Sequence, residues 1–140
     1  MARRSRKTIA AANGIAADPA FRAVTPPLVL SSTFAFPRFG EAGAYDYGRS
    51  GNPTRDLLAD TIAKLEDGAG AVVTASGMAA VDLVLSRLGP EDMIVGPHDS
   101  YSGTQRLILA RAARKQFRAA FIDQNDPAAL ATVLKQRPAL

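Results

Sequence analysis

Met93-Ile94-Val95-Gly96-Pro97-His98-Asp99-Ser100-Tyr101-Ser102-Gly103-Thr104 is the stretch that decides how this chain is read. A short apolar run meets Gly-Pro, and a polar turn then leads into a helix over about Gly103 to Gln116. Outward from it the same alternation recurs. Downstream, Phe117–Ile122 reads as a strand and Pro127–Gln136 as a helix with proline in its first turn. Upstream, Ala71-Val72-Val73-Thr74 reads as a short buried strand. Gly77 to about Leu88 follows as a helix striped with Met78, Val81, Leu85 and Leu88 and ended by Gly89-Pro90. Strands that recur about every 22 to 25 residues with helices between them predict βαβ units in a parallel sheet, an α/β fold.

Before these lies one more helix, Thr54 to about Asp67. Asn52 or Thr54 caps it, Asp56 sits in its first turn, Gly68 stops it, and Leu57, Leu58, Ile62 and Leu65 share a face. Residues 1–53 have no sustained periodicity and hold Pro19, Pro26, Pro27, Pro37 and Pro53. They read as an extended arm with one short helix, lying on the rest of the chain or on another subunit. The expected division is therefore an arm at 1–53 and the start of an α/β domain at 54–140. The chain ends at Arg137-Pro138-Ala139-Leu140, where another strand is expected to begin, so the domain reads as incomplete.

A chain of 140 residues that is 47% hydrophobic and 21% charged has the makings of one globular domain. No apolar run approaches the roughly 20 residues of a membrane helix. The absence of cysteine excludes disulfides, zinc-thiolate sites and thiol catalysis. Part of the net charge of +4 is local, in Arg3, Arg4, Arg6 and Lys7. Such a cluster suits a solvated arm, a nucleic-acid tail or an organelle transit segment. Thr8–Ala12 is too weakly apolar for a secretory signal.

Three segments invite chemistry. In Thr74-Ala75-Ser76-Gly77-Met78 a helix start offers unpaired N–H groups to an anion, and glycine permits close approach. The same residues also make an ordinary βα turn. The segment matches neither G-x-x-x-x-G-K-[ST] nor G-x-G-x-x-G, so it gives nucleotide binding no support. In Tyr45-Asp46-Tyr47-Gly48-Arg49-Ser50-Gly51-Asn52-Pro53-Thr54-Arg55, Arg49 suits a phosphate and the Tyr47 hydroxyl adds a neutral hydrogen bond. A solvated loop before a capped helix is the plainer account of it. In Pro97–Tyr101, at the carboxyl end of a strand, Tyr101 is placed to stack on a flat ring. His98, the single histidine, lacks a carboxylate partner and reads as a loop-fixing residue rather than a base. Arg106, one turn further on, is a candidate for an acidic substrate or simply a solvated arginine. No metal-ligand spacing and no G-x-S-x-G elbow is present.

Together with Lys7-Thr8-Ile9-Ala10, Thr25-Pro26-Pro27-Leu28-Val29-Leu30-Ser31-Ser32-Thr33-Phe34 and Phe121-Ile122-Asp123, these segments resemble the Cys/Met-metabolism family of pyridoxal-phosphate enzymes. Within it they look most like the cystathionine gamma-synthase branch. The resemblance runs over nearly the whole chain. It implies an arm followed by the first part of a PLP-transferase-like large domain of the aspartate aminotransferase fold type, a pyridoxal 5'-phosphate cofactor, and an amino-acid substrate. It also implies a cytoplasmic dimer of dimers that binds neither nucleic acid nor membrane. Tyr47 and Arg49 resemble the pair that grips the cofactor phosphate of a neighbouring subunit. Gly77 and Met78 resemble the backbone donors within the same subunit. Tyr101 resembles the ring-stacking residue with a share in proton handling. Arg106 resembles the contact to a distal acyl carboxylate.

The implied reaction is gamma-replacement on an O-acylhomoserine by cysteine. Ser50 stands where family synthases often carry a second arginine, which leaves gamma-lyases and sulfhydrylases as alternatives. The family's Schiff-base lysine has no counterpart among Lys7, Lys64, Lys115 and Lys135, which fall in the arm or on predicted helices. By itself the chain is therefore expected to be inactive and to fold poorly. A non-catalytic truncated α/β module is the reading from another class. A basic nucleic-acid module is a third, weakened by the lack of aromatics among the N-terminal basic residues.

Overall fold

The computed structural model describes residues 4–140, so Arg3 of the basic cluster lies outside the described residues. The chain forms two compact units that divide between Val73 and Thr74.

The second unit carries the sheet. Its elements are α3 (Gly77–Leu85), β1 (Met93–Pro97), α4 (Ser102–Ala113), β2 (Arg118–Ile122) and α5 (Pro127–Leu134). β1 and β2 pair in parallel, with Met93 opposite Arg118 and Pro97 opposite Ile122. α4 makes the crossover that parallel strands require. On the other edge of β1, the Val95 N–H donates to the Leu140 carbonyl at 2.9 Å and the Ala139 N–H to the Met93 carbonyl at 2.8 Å. The chain's last residues thus run along β1, where the sequence predicts a further strand. The core is Leu85 from α3, Ile94 from β1, Ile108 from α4 and Phe117 before β2, with Val81, Leu88 and Phe121 packed against them. Each buried side chain of this size contributes about 1.5–3 kcal/mol. The fold class is α/β with a small parallel sheet, as expected.

The first unit holds α1 (Arg6–Ala12) and α2 (Pro53–Leu65). Ser5 caps α1 and Asn52 caps α2, where it accepts from the Thr54 and Arg55 amides. α1 lies against α2: Ile9 is buried, and Asn13 Nδ2 donates to Thr61 Oγ1 at 2.7 Å and Asp60 Oδ2 at 3.0 Å. Part of the arm therefore rests on this chain itself.

Ala71–Thr74 is not a strand. Val72 is 73% exposed, and no backbone hydrogen bond reaches these residues among those described. An apolar β-branched run marks side chains suited to a sheet, but a strand also needs a neighbouring backbone to bond. All four of the helices predicted after the arm end earlier than expected, α2 at Leu65, α3 at Leu85, α4 at Ala113 and α5 at Leu134. α4 stops in a left-handed turn at Lys115 (φ 59°), with the Gln116 N–H reaching back to the Arg111 carbonyl at 3.2 Å. α2 ends the same way. Its left-handed residue is Asp67 (φ 55°), and Gly68, predicted to be the stop, donates to the Ala63 carbonyl at 2.8 Å one position later.

Candidate functional site

α3 begins at a helix start capped by Ser76. Ser76 accepts from the Ala79 amide through its hydroxyl at 3.2 Å and from the Ala80 amide through its carbonyl at 3.1 Å. The amides of Gly77 and Met78 precede the first intrahelical bond and donate to no group among the described residues. Beyond its chain neighbours and its own helix backbone, no described heavy atom lies within 4 Å of where a Gly77 Cβ would stand, so the approach is open. Two successive N–H groups, the helix dipole and free space suit a phosphate monoester.

The start of α4 lies beside it. Met78 Sδ is 3.9 Å from Thr104 Oγ1, in the first turn of α4. Tyr101 is the N-cap residue of α4, gives no side-chain cap, and is 69% exposed. Its ring rests on the backbone of Gly103, where a Cβ would fall 2.5 Å from Tyr101 Cε1. The loop that carries it is fixed from β2. The His98 N–H donates to the Ile122 carbonyl at 2.8 Å, and Nδ1 lies 3.2 Å from the same oxygen. Gln105 Nε2 donates to the His98 carbonyl at 2.7 Å. His98 thus acts as the loop-fixing residue that its sequence context suggests. The Ser100 hydroxyl, next to Tyr101, is buried with no hydrogen-bond partner among the described residues. Arg106 is exposed and makes no ion pair among the described residues.

In the first unit, Arg49 Cζ lies 4.8 Å from the centroid of the Tyr47 ring, so the two predicted phosphate residues are brought together. Arg49 and Ser50 line a cavity of about 330 Å³ whose wall also includes Arg55. Tyr45 stacks near Phe34 at 5.4 Å between ring centroids. Its own burial, then the neighbouring Asp56 carboxylate, raises its phenol above the ordinary value.

The lysines take no part in either cluster. Lys64 is tied to Asp60 at 2.5 Å and to Asn13 Oδ1 at 3.2 Å, and Lys7, Lys115 and Lys135 are exposed. The residues present fit a cofactor's phosphate and offer a ring for stacking; none of these four amines fits its carbonyl carbon. No group of three metal-ligating side chains occurs among the described residues, and no helix among them is long and apolar enough to cross a membrane. Sequence reasoning passed over Gly103 and Arg55. The signal for Gly103 was a glycine two residues after a tyrosine at a helix start. For Arg55 it was an arginine on the first turn of a helix, one turn from the loop it serves.

A family model described as Cys/Met metabolism PLP-dependent enzyme matches residues 7–140. The chain is 46% identical over 138 residues to a cystathionine gamma-synthase of Escherichia coli, covering 98% of this chain and 36% of that protein. It is 37% identical over 123 residues to a cystathionine beta-lyase of Bacillus subtilis, covering 88% of this chain and 32% of that protein. Its fold is similar to that of a cystathionine gamma synthase from Xanthomonas oryzae pv. oryzae solved in complex with aminoacrylate and cysteine. That likeness has a TM-score of 0.91 at 49% identity and covers 96% of this chain and 35% of the other. The chain spans about a third of the length of the relatives it matches.

Proposed function

The chain belongs to the Cys/Met-metabolism family of pyridoxal-phosphate-dependent enzymes, and from that premise we propose that it provides the phosphate and ring contacts of a cystathionine gamma-synthase-like enzyme. The reaction is gamma-replacement, in which the sulfur of cysteine displaces the acyloxy group of an O-acylhomoserine as a carboxylate. The observation that carries the reading is the start of α3, where the Gly77 and Met78 amides donate to no group among the described residues and, beyond the neighbouring residues and the helix's own backbone, no described heavy atom lies within 4 Å of the Gly77 Cβ position. When bound there, pyridoxal 5'-phosphate supplies the electron sink for the chemistry at the amino acid.

The chain's own side chains then take defined parts. The Gly77 and Met78 amides bind the phosphate, and Tyr47 and Arg49 grip that of a neighbouring subunit. Tyr101 stacks on the ring and holds a proton at its hydroxyl. Arg106, the exposed cation on α4, meets a distal carboxylate of the substrate. The trans-acting loop requires at least a dimer, with a cytoplasmic dimer of dimers as the working assembly.

The test is a product assay of the protein as its cell makes it. With O-acylhomoserine and cysteine, cystathionine should accumulate. Ser50, in the position where a second arginine would favour synthases, keeps gamma-elimination as the second reading. A 2-oxo acid and ammonia formed without cysteine would establish it instead. Neither product would end both readings.

A further inference from the structure

Arg55 holds the backbone between Tyr47 and Arg49. Tyr47 pairs across an antiparallel bridge with Thr33, and the Gly48 N–H donates to the Ser32 carbonyl at 2.7 Å. The Gly48 carbonyl, on the next peptide plane, accepts from Arg55 Nη1 at 3.2 Å. Glycine has the widest φ/ψ freedom of any residue. Here the peptide planes on both sides of it are pinned, one by the arm and one by α2. The anchor is firm at its other end. Asn52 caps α2 and donates through Nδ2 to the Val29 carbonyl at 3.1 Å, while Thr54 Oγ1 accepts from the Val29 N–H at 2.9 Å. Arg55 itself is half-buried on the first turn of that helix.

We propose that Arg55 is a positioning residue that, by holding the Gly48 carbonyl, aims Tyr47 and Arg49 at a phosphate monoester. A guanidinium is rigid and always charged, so it holds a carbonyl in one direction where a flexible ammonium does not. The inference rests on the reading of Tyr47 and Arg49 as the phosphate grip.

The experiment measures, by titration calorimetry on the assembled protein as its cell makes it, the affinities for pyridoxal 5'-phosphate and for pyridoxal, which lacks the phosphate. The proteins are the wild type, Arg55→Ala, Arg55→Lys, Arg49→Ala and the Arg49→Ala/Arg55→Ala double variant, with thermal midpoints alongside. Arg55→Ala should lose about tenfold in affinity for the phosphorylated ligand and nothing for pyridoxal. The double variant should lose less than the two single losses combined, because Arg55 acts through the loop and only the aim of Tyr47 is left for it to affect. Should Arg55→Ala fail to fold, Arg55→Lys must show the phosphate-specific loss in reduced form.

Additive losses in the double variant would overturn the proposal, since they make Arg55 an independent anion contact. So would equal losses for both ligands, which make its role merely structural. A wild type with no preference for the phosphate, or an Arg49→Ala variant that keeps it, would instead remove the phosphate-grip reading itself. If Arg49→Ala abolishes the preference and the Arg55 variants do not, the positioning role alone fails.

Discussion

The Tyr101 ring lies so close over Gly103 that a Cβ added there would stand 2.5 Å from Tyr101 Cε1 and 3.2 Å from Cζ. Gly103 has no left-handed φ and sits in the first turn of α4, so alanine suits its backbone. Only the ring has to move, and its exposure lets it. Gly103→Ala should therefore keep or raise stability by up to about 1 kcal/mol, the usual gain for glycine to alanine in a helix. If Tyr101 stacks on the cofactor as proposed, affinity for pyridoxal 5'-phosphate should fall as far as in Tyr101→Ala. Urea denaturation and calorimetric titration of both variants check this. A Gly103→Ala variant with full affinity would show that the observed ring position does not matter.

Leu85 is 2% exposed and joins α3 to the sheet beside Ile94, Ile108 and Phe117. Leu85→Ala removes its methyl groups and leaves a cavity among them. The expected loss is about 2 to 5 kcal/mol. That is a large part of a typical domain stability of about 5–15 kcal/mol, so partial unfolding at room temperature is expected. Chemical denaturation followed by circular dichroism measures it. A loss below about 1 kcal/mol would mean that the four residues do not form the stabilising core.

Asp60 accepts from Lys64 and Asn13, and these bonds, Lys64 first, hold its carboxyl below the ordinary value of 3.8. A carboxylate with a lowered folded-state pKa adds stability above its unfolded-state value. That stability is lost as pH falls through the folded-state value. Both partners bear on the docking of α1 against α2, because Asn13 follows α1 and Lys64 lies on α2. Asp60→Asn should therefore be less stable than wild type at pH 7, and the two should converge as pH falls below the ordinary carboxylate value and through the lowered folded-state one. Denaturant midpoints across that range decide it. A difference that stays constant with pH would assign the effect to shape rather than charge.

The parallel β1–α4–β2 unit was legible chiefly through β1, which is buried along most of its length. Met93 and Ile94 lie inside, and the glycine and proline that follow them mark the strand's end. Ala71–Thr74 misled for a physical reason: its composition reports side-chain preference, while the ladder depends on backbone partners that no local pattern encodes. The helix ends misled differently. Asp67 and Lys115 adopt the left-handed conformation that sequence reasoning reserves for glycine. At the site, the pairing of Tyr47 with Arg49 could be anticipated from two residues separated by one glycine in a turn. The grip of Arg55 on Gly48 could not, because it depends on how α2 is aimed.

Gly48 tests the same loop from the opposite side. A Cβ there would stand 3.1 Å from the Ser31 carbonyl oxygen and 3.4 Å from Ser32 Cα, both backbone atoms that cannot swing aside. Nor is a left-handed φ involved, so any penalty comes from contact alone. Gly48→Ala must push the Tyr47–Arg49 turn away from the arm and stretch the 2.7 Å bond from the Gly48 N–H to the Ser32 carbonyl. Overpacking of this kind costs about 1–3 kcal/mol. The contrast with Gly103→Ala is the informative part. There a mobile ring yields and stability holds, whereas here fixed backbone resists and stability drops. Parallel urea titrations of the two variants measure it, and equal stabilities would show that the arm segment at Ser31 and Ser32 gives way rather than holding the turn.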